Sequence, residues 1–322
     1  MKAFLKKQWF FVGIAIMIIL AYVFPDIGRW VRTYSILNVG IFLAFFVTGL
    51  TLETSSIAGN LRNFKAPLAA MISSLILFPL LSWLIAQPIL PAEFVIGVCI
   101  IATAPVTVAS GTVMTAVGRG NVPLSLFICV LGNLLALFTI PFSLSLLIGI
   151  GTDIELPVLK MLFALITTIL VPTMLGQFVR PFVKNKLQPY KQTFSIFQQS
   201  VVLIIIFNAV ASSSDKIVQA GASVVVVGVF MLILHSVILI MNYGISKGIR
   251  LDRASTVAFT IHTSQKTLTV SYIIWAGYFA ADYPMALIPG IVYHMVQMIM
   301  DTVVAERFRI QAEKADMNIS NR

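Results

Sequence analysis

Apolar runs of about 20 residues recur along this chain, parted by short polar turns. A helix needs a run of about that length to cross a bilayer. Ten runs are expected, at roughly 9–24, 36–51, 67–86, 94–117, 122–148, 157–178, 194–211, 222–243, 255–278 and 285–304. Turn residues separate them, as in Gln87-Pro88-Ile89-Leu90-Pro91, Gly118-Arg119-Gly120-Asn121, Gly149-Ile150-Gly151-Thr152-Asp153 and Ser212-Ser213-Ser214-Asp215. The tail after Val304 is polar and reads as a frayed helix. Only 11% of residues are charged, against roughly a quarter in a soluble domain. The expected class is therefore an all-α integral membrane protein with ten transmembrane helices. The first run follows Lys2, Lys6 and Lys7, as a signal peptide would, but ends in Pro25-Asp26 without a small-residue cleavage site. It is read as a retained helix.

The net charge of +10 raises nucleic acid as a partner. The charges argue against it, because they sit in short loops between apolar runs. Ten spans put 17 Lys and Arg on one side and three, Arg29, Arg32 and Lys216, on the other. The positive-inside bias then places both termini in the cytoplasm of a bacterial-type inner (plasma) membrane. The basic stretch Arg180 to Lys191 is a candidate contact for anionic lipid heads. Two basic residues remain: Lys160, just inside the sixth run, and Lys266, which no choice of ten spans brings near an interface.

Five spans per half make an inverted repeat possible, because an odd number starts the second half on the opposite side. The expected division is 1–151, 152–306 and a cytoplasmic tail, 307–322. A faint internal match, Asn121-Val122-Pro123-Leu124-Ser125-Leu126 with Asp282-Tyr283-Pro284-Met285-Ala286-Leu287, agrees with it and sets Asn133 opposite His294.

The fourth and ninth runs hold corresponding places in the two halves, and both are interrupted. The fourth contains Pro105, Thr107, Ser110, Gly111 and Thr112; proline removes a helix hydrogen bond, and Gly111 admits a close backbone. The ninth contains His262, Thr263, Ser264, Gln265 and Lys266 with no carboxylate in the stretch. Paired broken helices point to a transporter's binding site, and an intramembrane lysine is costly unless it serves a function. Packing is a sufficient reason for the hydroxyls of the fourth run taken alone. Ser125 and Asn133 in the fifth run, and His294 and Gln297 one turn apart in the tenth, complete the candidate substrate or ion site. His235 reads as a satisfied core histidine and Asp301 as an interfacial or pairing carboxylate. Cys99 and Cys129 lie in apolar runs and suggest no disulfide. No spacing resembles a metal, cofactor or nucleophile constellation, so an intramembrane enzyme using His235, His294 and Asp301 is a weak reading.

The chain resembles the bile acid:sodium symporter family. The resemblance is carried by Gly49-Leu50-Thr51-Leu52, the Pro105 to Thr112 segment, Gly120-Asn121-Val122-Pro123-Leu124-Ser125 and Ser264-Gln265-Lys266-Thr267-Leu268. It covers nearly the full length and is nearest the divergent branch related to the seventh member of solute carrier family ten. It implies core and panel domains, and fourth and ninth helices that unwind and cross. Against the sodium-coupled members, the ninth-helix glutamate is absent, its place falling near Thr260 to His262. Gln265 keeps the family glutamine, and Lys266 stands where an asparagine would. Ser110 and Ser125 match family serines. Gly111 or Thr112, Cys129 and Ser74 replace other polar family residues.

These departures imply a secondary transporter of a small organic anion, working by alternating access without sodium. Lys266 would act as a built-in cation, and a proton is the other candidate partner, through Lys266 or His262. The resemblance also allows a membrane regulator of calcium homeostasis that does not transport bile-acid-like solutes.

Overall fold

A computed structural model describes residues 2–33, 36–52, 64–107, 109–150 and 154–320. All regular structure among them is helical. In chain order the helices are α1 (Lys2–Val23), α2 (Pro25–Thr33), α3 (Ile36–Thr51), α4 (Lys65–Ala86), α5 (Ala92–Thr103), α6 (Ala109–Val117) and α7 (Val122–Gly149). Then follow α8 (Val158–Leu187), α9 (Lys191–Ala220), α10 (Ala222–Gly248), α11 (Arg253–Ser264), α12 (Leu268–Tyr278) and, after a tight turn at Pro284–Leu287, α13 (Ile288–Ser320). Six helical stretches are long and apolar enough to cross a membrane: α4, α7, α8, α9, α10 and Pro284–Met317. Apolar stretches in α1, α3 and α5 are shorter.

The fourth and ninth runs are not single helices. Ala104 is extended (φ −58°, ψ 153°), the conformation favoured before a proline because its ring crowds the preceding residue. That ends α5, and the chain resumes as α6 at Ala109. The second break runs from Gln265 to Thr267, both extended. Elsewhere the ends follow local chemistry. Asn121 caps α7 by accepting Leu124 N–H at 3.0 Å, and Asp252 caps α11 by accepting Ser255 N–H at 3.0 Å. The turn at 118–121 has Arg119 at φ 53°.

Three expectations are corrected. Ser212 to Asp215 is not a turn but lies inside α9. Ser213 Oγ donates to Pro284 O at 2.8 Å, tying α9 to the turn before α13. The chain reverses later, at Gly221, whose φ of 48° suits a residue without a Cβ. The tail after Val304 is not frayed: α13 continues to Ser320. Arg309 bridges Glu306 and Glu313, and Arg119 reaches Glu313 and Asp316. Much of the Arg180 to Lys191 loop is the last turns of α8. The short helix α2, with Asp26 in its first turn, was not expected. Gly151, Thr152, Asp153, Val108, Arg62 and Arg322 lie outside the described residues.

Two groups of helices emerge from the packing. α1, α2, α3, α8 and α9 pack mainly on one another, and α4 to α7 with α10 to α13 form the second group. In the first group α3 meets α8 backbone to backbone: a Cβ on Gly49 would sit 2.1 Å from Thr173 O, and one on Gly176 would sit 2.2 Å from Phe46 O. Small residues allow that approach where lipid supplies no hydrophobic drive between helices. In the second group a Cβ on Gly97 would sit 2.2 Å from Ala286 O.

Candidate functional site

The two breaks lie against each other. Thr267 N–H donates to Pro105 O at 2.9 Å, joining the unwound strands directly. Each strand exposes peptide groups that a continuous helix would have paired, and the partners are side chains of the crossing itself.

Gln265 is the hub. Its Oε1 accepts from Thr107 Oγ1 and from Ser110 Oγ (2.8 Å), and its Nε2 donates to Asp301 Oδ2 at 2.7 Å. Both amide atoms are thus engaged by protein side chains. Ser110 Oγ also lies 2.8 Å from Thr107 Oγ1, and Thr107 Oγ1 receives Gly111 N–H at 3.2 Å at the start of α6.

Lys266 is wholly buried. Its Nζ donates to Ser74 O (2.7 Å), Ser74 Oγ (3.2 Å) and Ala104 O (2.9 Å), and lies 4.6 Å from the centre of the Phe78 ring. Ser74 belongs to a wider turn of α4, Ser73–Leu77, with Phe78 N–H bonded five residues back to Ser73 O. Such a turn disturbs the regular ladder, and here the Ser74 carbonyl meets the ammonium. Gln297 Oε1 accepts Lys266 N–H at 2.8 Å, its Nε2 donates to Lys266 O at 2.9 Å, and that Nε2 lies 3.0 Å from His294 Nδ1.

His262 fills the space on the other side of Gly111. Its Nε2 lies 2.8 Å from Thr107 O and its Nδ1 2.5 Å from Ser125 Oγ. A Cβ on Gly111 would sit 2.7 to 2.9 Å from the imidazole ring. Thr115 Oγ1 donates to Ser125 Oγ at 3.2 Å. Asn133 Nδ2 donates to Val106 O at 3.2 Å and Cys129 O at 2.9 Å, so the fifth run also satisfies the first break. Ser264 Oγ donates to Thr260 O at 2.7 Å and accepts Asn242 Nδ2 at 2.8 Å. The buried hydroxyls of Thr260 and Thr263 reach no protein partner. Thr112 is half-buried on α6 and does not line the cavity beside the crossing.

Of the two roles expected for Asp301, interfacial or pairing, the structure shows pairing: it is fully buried, and its Oδ1 lies 3.0 Å from His235 Nε2. His235 is a satisfied core histidine, as expected, with Nδ1 2.8 Å from Tyr293 OH. No group of three or more metal-ligating side chains occurs among the described residues.

Beside the crossing, between the two helix groups, lies a cavity of about 240 Å³. Thr107 and Ser110 at the start of α6, Thr267 and Thr269 at the start of α12, and His294 line one wall. Phe10, Thr48, Ser195, Gln198 and Gln199 line the other. Lys266 is not part of either wall, so its ammonium does not face the cavity directly.

Residues 8–310 match the SBF-like CPA transporter family. The chain belongs to that family. Its match to the "Probable sodium/metabolite cotransporter BASS4, chloroplastic" of Oryza sativa subsp. indica is 29% identical over 314 residues, covering 91% of this chain and 73% of that protein. The "Sodium/bile acid cotransporter 7-B" of Xenopus laevis is 27% identical over 316 residues, covering 93% and 91%. The rat "Sodium/bile acid cotransporter 7" is 25% identical over 313 residues, covering 93% and 92%. Membership in this family makes the protein a membrane transporter rather than an enzyme.

Proposed function

We propose that this chain moves a small organic anion by alternating access, without sodium, and that Lys266 is a fixed cation standing in for a bound one. The observation that carries the reading is the setting of Lys266 Nζ: three oxygens, Ser74 O, Ser74 Oγ and Ala104 O, converge on one buried ammonium at the helix crossing. Convergent oxygens are the surroundings a hard cation takes. The ammonium brings the charge covalently, so the crossing is held without an ion from solution. His262 supports the same reading. It lies in the stretch, Thr260 to His262, where the resemblance sets the missing glutamate, and its ring packs against Ser125 and Thr107 in space that the absence of a side chain at Gly111 provides.

An anionic solute is favoured by the wall of the cavity. The N-terminal residues of α6 and α12 border it, and half-helix N-termini carry partial positive charge. On the facing helix group Ser195 and Gln199 offer hydrogen bonds, whereas Gln198 Nε2 is taken by Ala44 O and Thr48 Oγ1. In this reading the second group is a core domain that moves against a panel formed by the first. The ten spans form two inverted halves, 1–151 and 152–306, with α5–α6 and α11–α12 as the broken fourth and ninth spans. Both termini and the tail, 307–322, lie in the cytoplasm beside a bacterial-type plasma membrane, with lipid around the apolar faces.

Counterflow in proteoliposomes tests the function. The expected result is exchange of at least one member of a panel of organic anions, equal in Na⁺ and in K⁺. No exchange across the panel contradicts transport of an organic anion, and exchange only in Na⁺ contradicts the fixed-cation reading.

A further inference from the structure

We infer that Asp301 and His235 together form a site that takes up and releases one proton. Tyr293 OH lies 2.7 Å from Ser264 O, and a carbonyl only accepts, so the tyrosine hydrogen points there. The contact between Tyr293 OH and His235 Nδ1, at 2.8 Å, then needs its hydrogen from the ring, which makes Nδ1 the protonated nitrogen. A neutral imidazole has only one N–H. Its Nε2 would therefore turn a lone pair toward Asp301 Oδ1 at 3.0 Å. Two acceptors at that distance, both fully buried, need a hydrogen between them. The pair holds one: either as imidazolium with carboxylate, or as neutral imidazole with carboxylic acid. Loss of that proton takes the pair from net zero to net negative and changes no other bond.

The pair is placed to report its state to the crossing. The other Asp301 oxygen accepts Gln265 Nε2, and Gln265 Oε1 is held by Thr107 and Ser110, which line the cavity. His235 comes from α10, Asp301 and Tyr293 from α13, and Gln265 from the break between α11 and α12. Lys266, the nearest fixed charge in sequence to Gln265, turns to Ser74 and Ala104. Apart from Tyr293, no other ionisable side chain among the described residues is hydrogen-bonded to Asp301 or His235. A role for this proton in transport rests on the carrier reading above; the site itself does not.

Infrared difference spectra of the purified full chain, taken across a pH series, test it. The expected result is a carboxyl and imidazole band pair in the wild type that is lost in Asp301→Asn and in His235→Gln. Asparagine imitates the protonated acid, and the glutamine variant decides the matter if the first does not fold. Identical difference spectra in wild type and variants overturn the inference, because the pair then keeps its proton and is structural. Titrating bands without solute exchange in any assay contradict the transport reading instead, and leave the proton site standing.

Discussion

Gln297 holds both backbone polar groups of Lys266, accepting its N–H at 2.8 Å and donating to its carbonyl at 2.9 Å. One side chain from α13 thus does for the unwound strand what a helix would have done for itself. Gln297→Leu leaves a buried donor and a buried acceptor unmet, at about 1–3 kcal/mol each. The apparent melting temperature in detergent is expected to fall, with Gln297→Glu in between because it keeps the acceptor and loses the donor. An unchanged melting temperature in Gln297→Leu contradicts this account of the break.

Gly49 and Gly176 let α3 and α8 touch. The atoms that a Cβ on Gly49 would meet are backbone, Thr173 O at 2.1 Å and Gly176 Cα at 3.0 Å, so no side-chain rotation makes room. Gly49→Ala is expected to destabilise the first helix group by about 1–3 kcal/mol, the usual cost of overpacking. A thermal melt of that variant measures it; Gly221→Ala is the contrast, strained at φ 48° but facing open space.

Asp252 caps α11 from the exposed turn before it. Burial pushes its carboxyl up, but hydrogen bonds from Ser255 and nearby backbone outweigh that and hold it below the usual carboxylate range. A carboxyl lowered in the folded state stabilises it above the unfolded value, about 3.9, and that contribution fades as pH falls through the folded value. Asp252→Ala is therefore expected to cost about 0.5–2 kcal/mol at neutral pH, with the gap to wild type closing below about pH 4. Melting curves across that range check it; a gap that persists in acid points to packing rather than charge.

The broken helices were legible because both causes are local: Pro105 forces its predecessor out of the helix, and a dense polar run ending in Lys266 has no cheap place in a bilayer. Lys266, Gln265, His262, Thr107, Ser110, Ser125, Asn133, His294 and Gln297 do meet at or beside the crossing. The partners of Asp301 and Ser74 were less legible. Asp301 stayed open between an interfacial and a pairing role because sequence gives depth along α13 but not the direction its side chain takes. The Ser74 carbonyl meets Lys266 through a wide turn in α4, and Ser73 to Leu77 carries no proline or glycine to mark it. Ser212 to Asp215 resembled a turn by composition, yet Ser213 is spent on Pro284 O in the middle of α9.

The central claim is that Lys266 replaces a bound cation, and sodium titration of thermal stability tests it most directly. A ligand that binds the folded protein raises its melting temperature by mass action. The account predicts that Na⁺ gives wild type no more stability than the same concentration of K⁺. Lys266→Met, which leaves Ser74 O and Ala104 O without their donor, is expected to melt lower in either salt. A saturable rise in the wild-type melting temperature with Na⁺ and not with K⁺ contradicts the account.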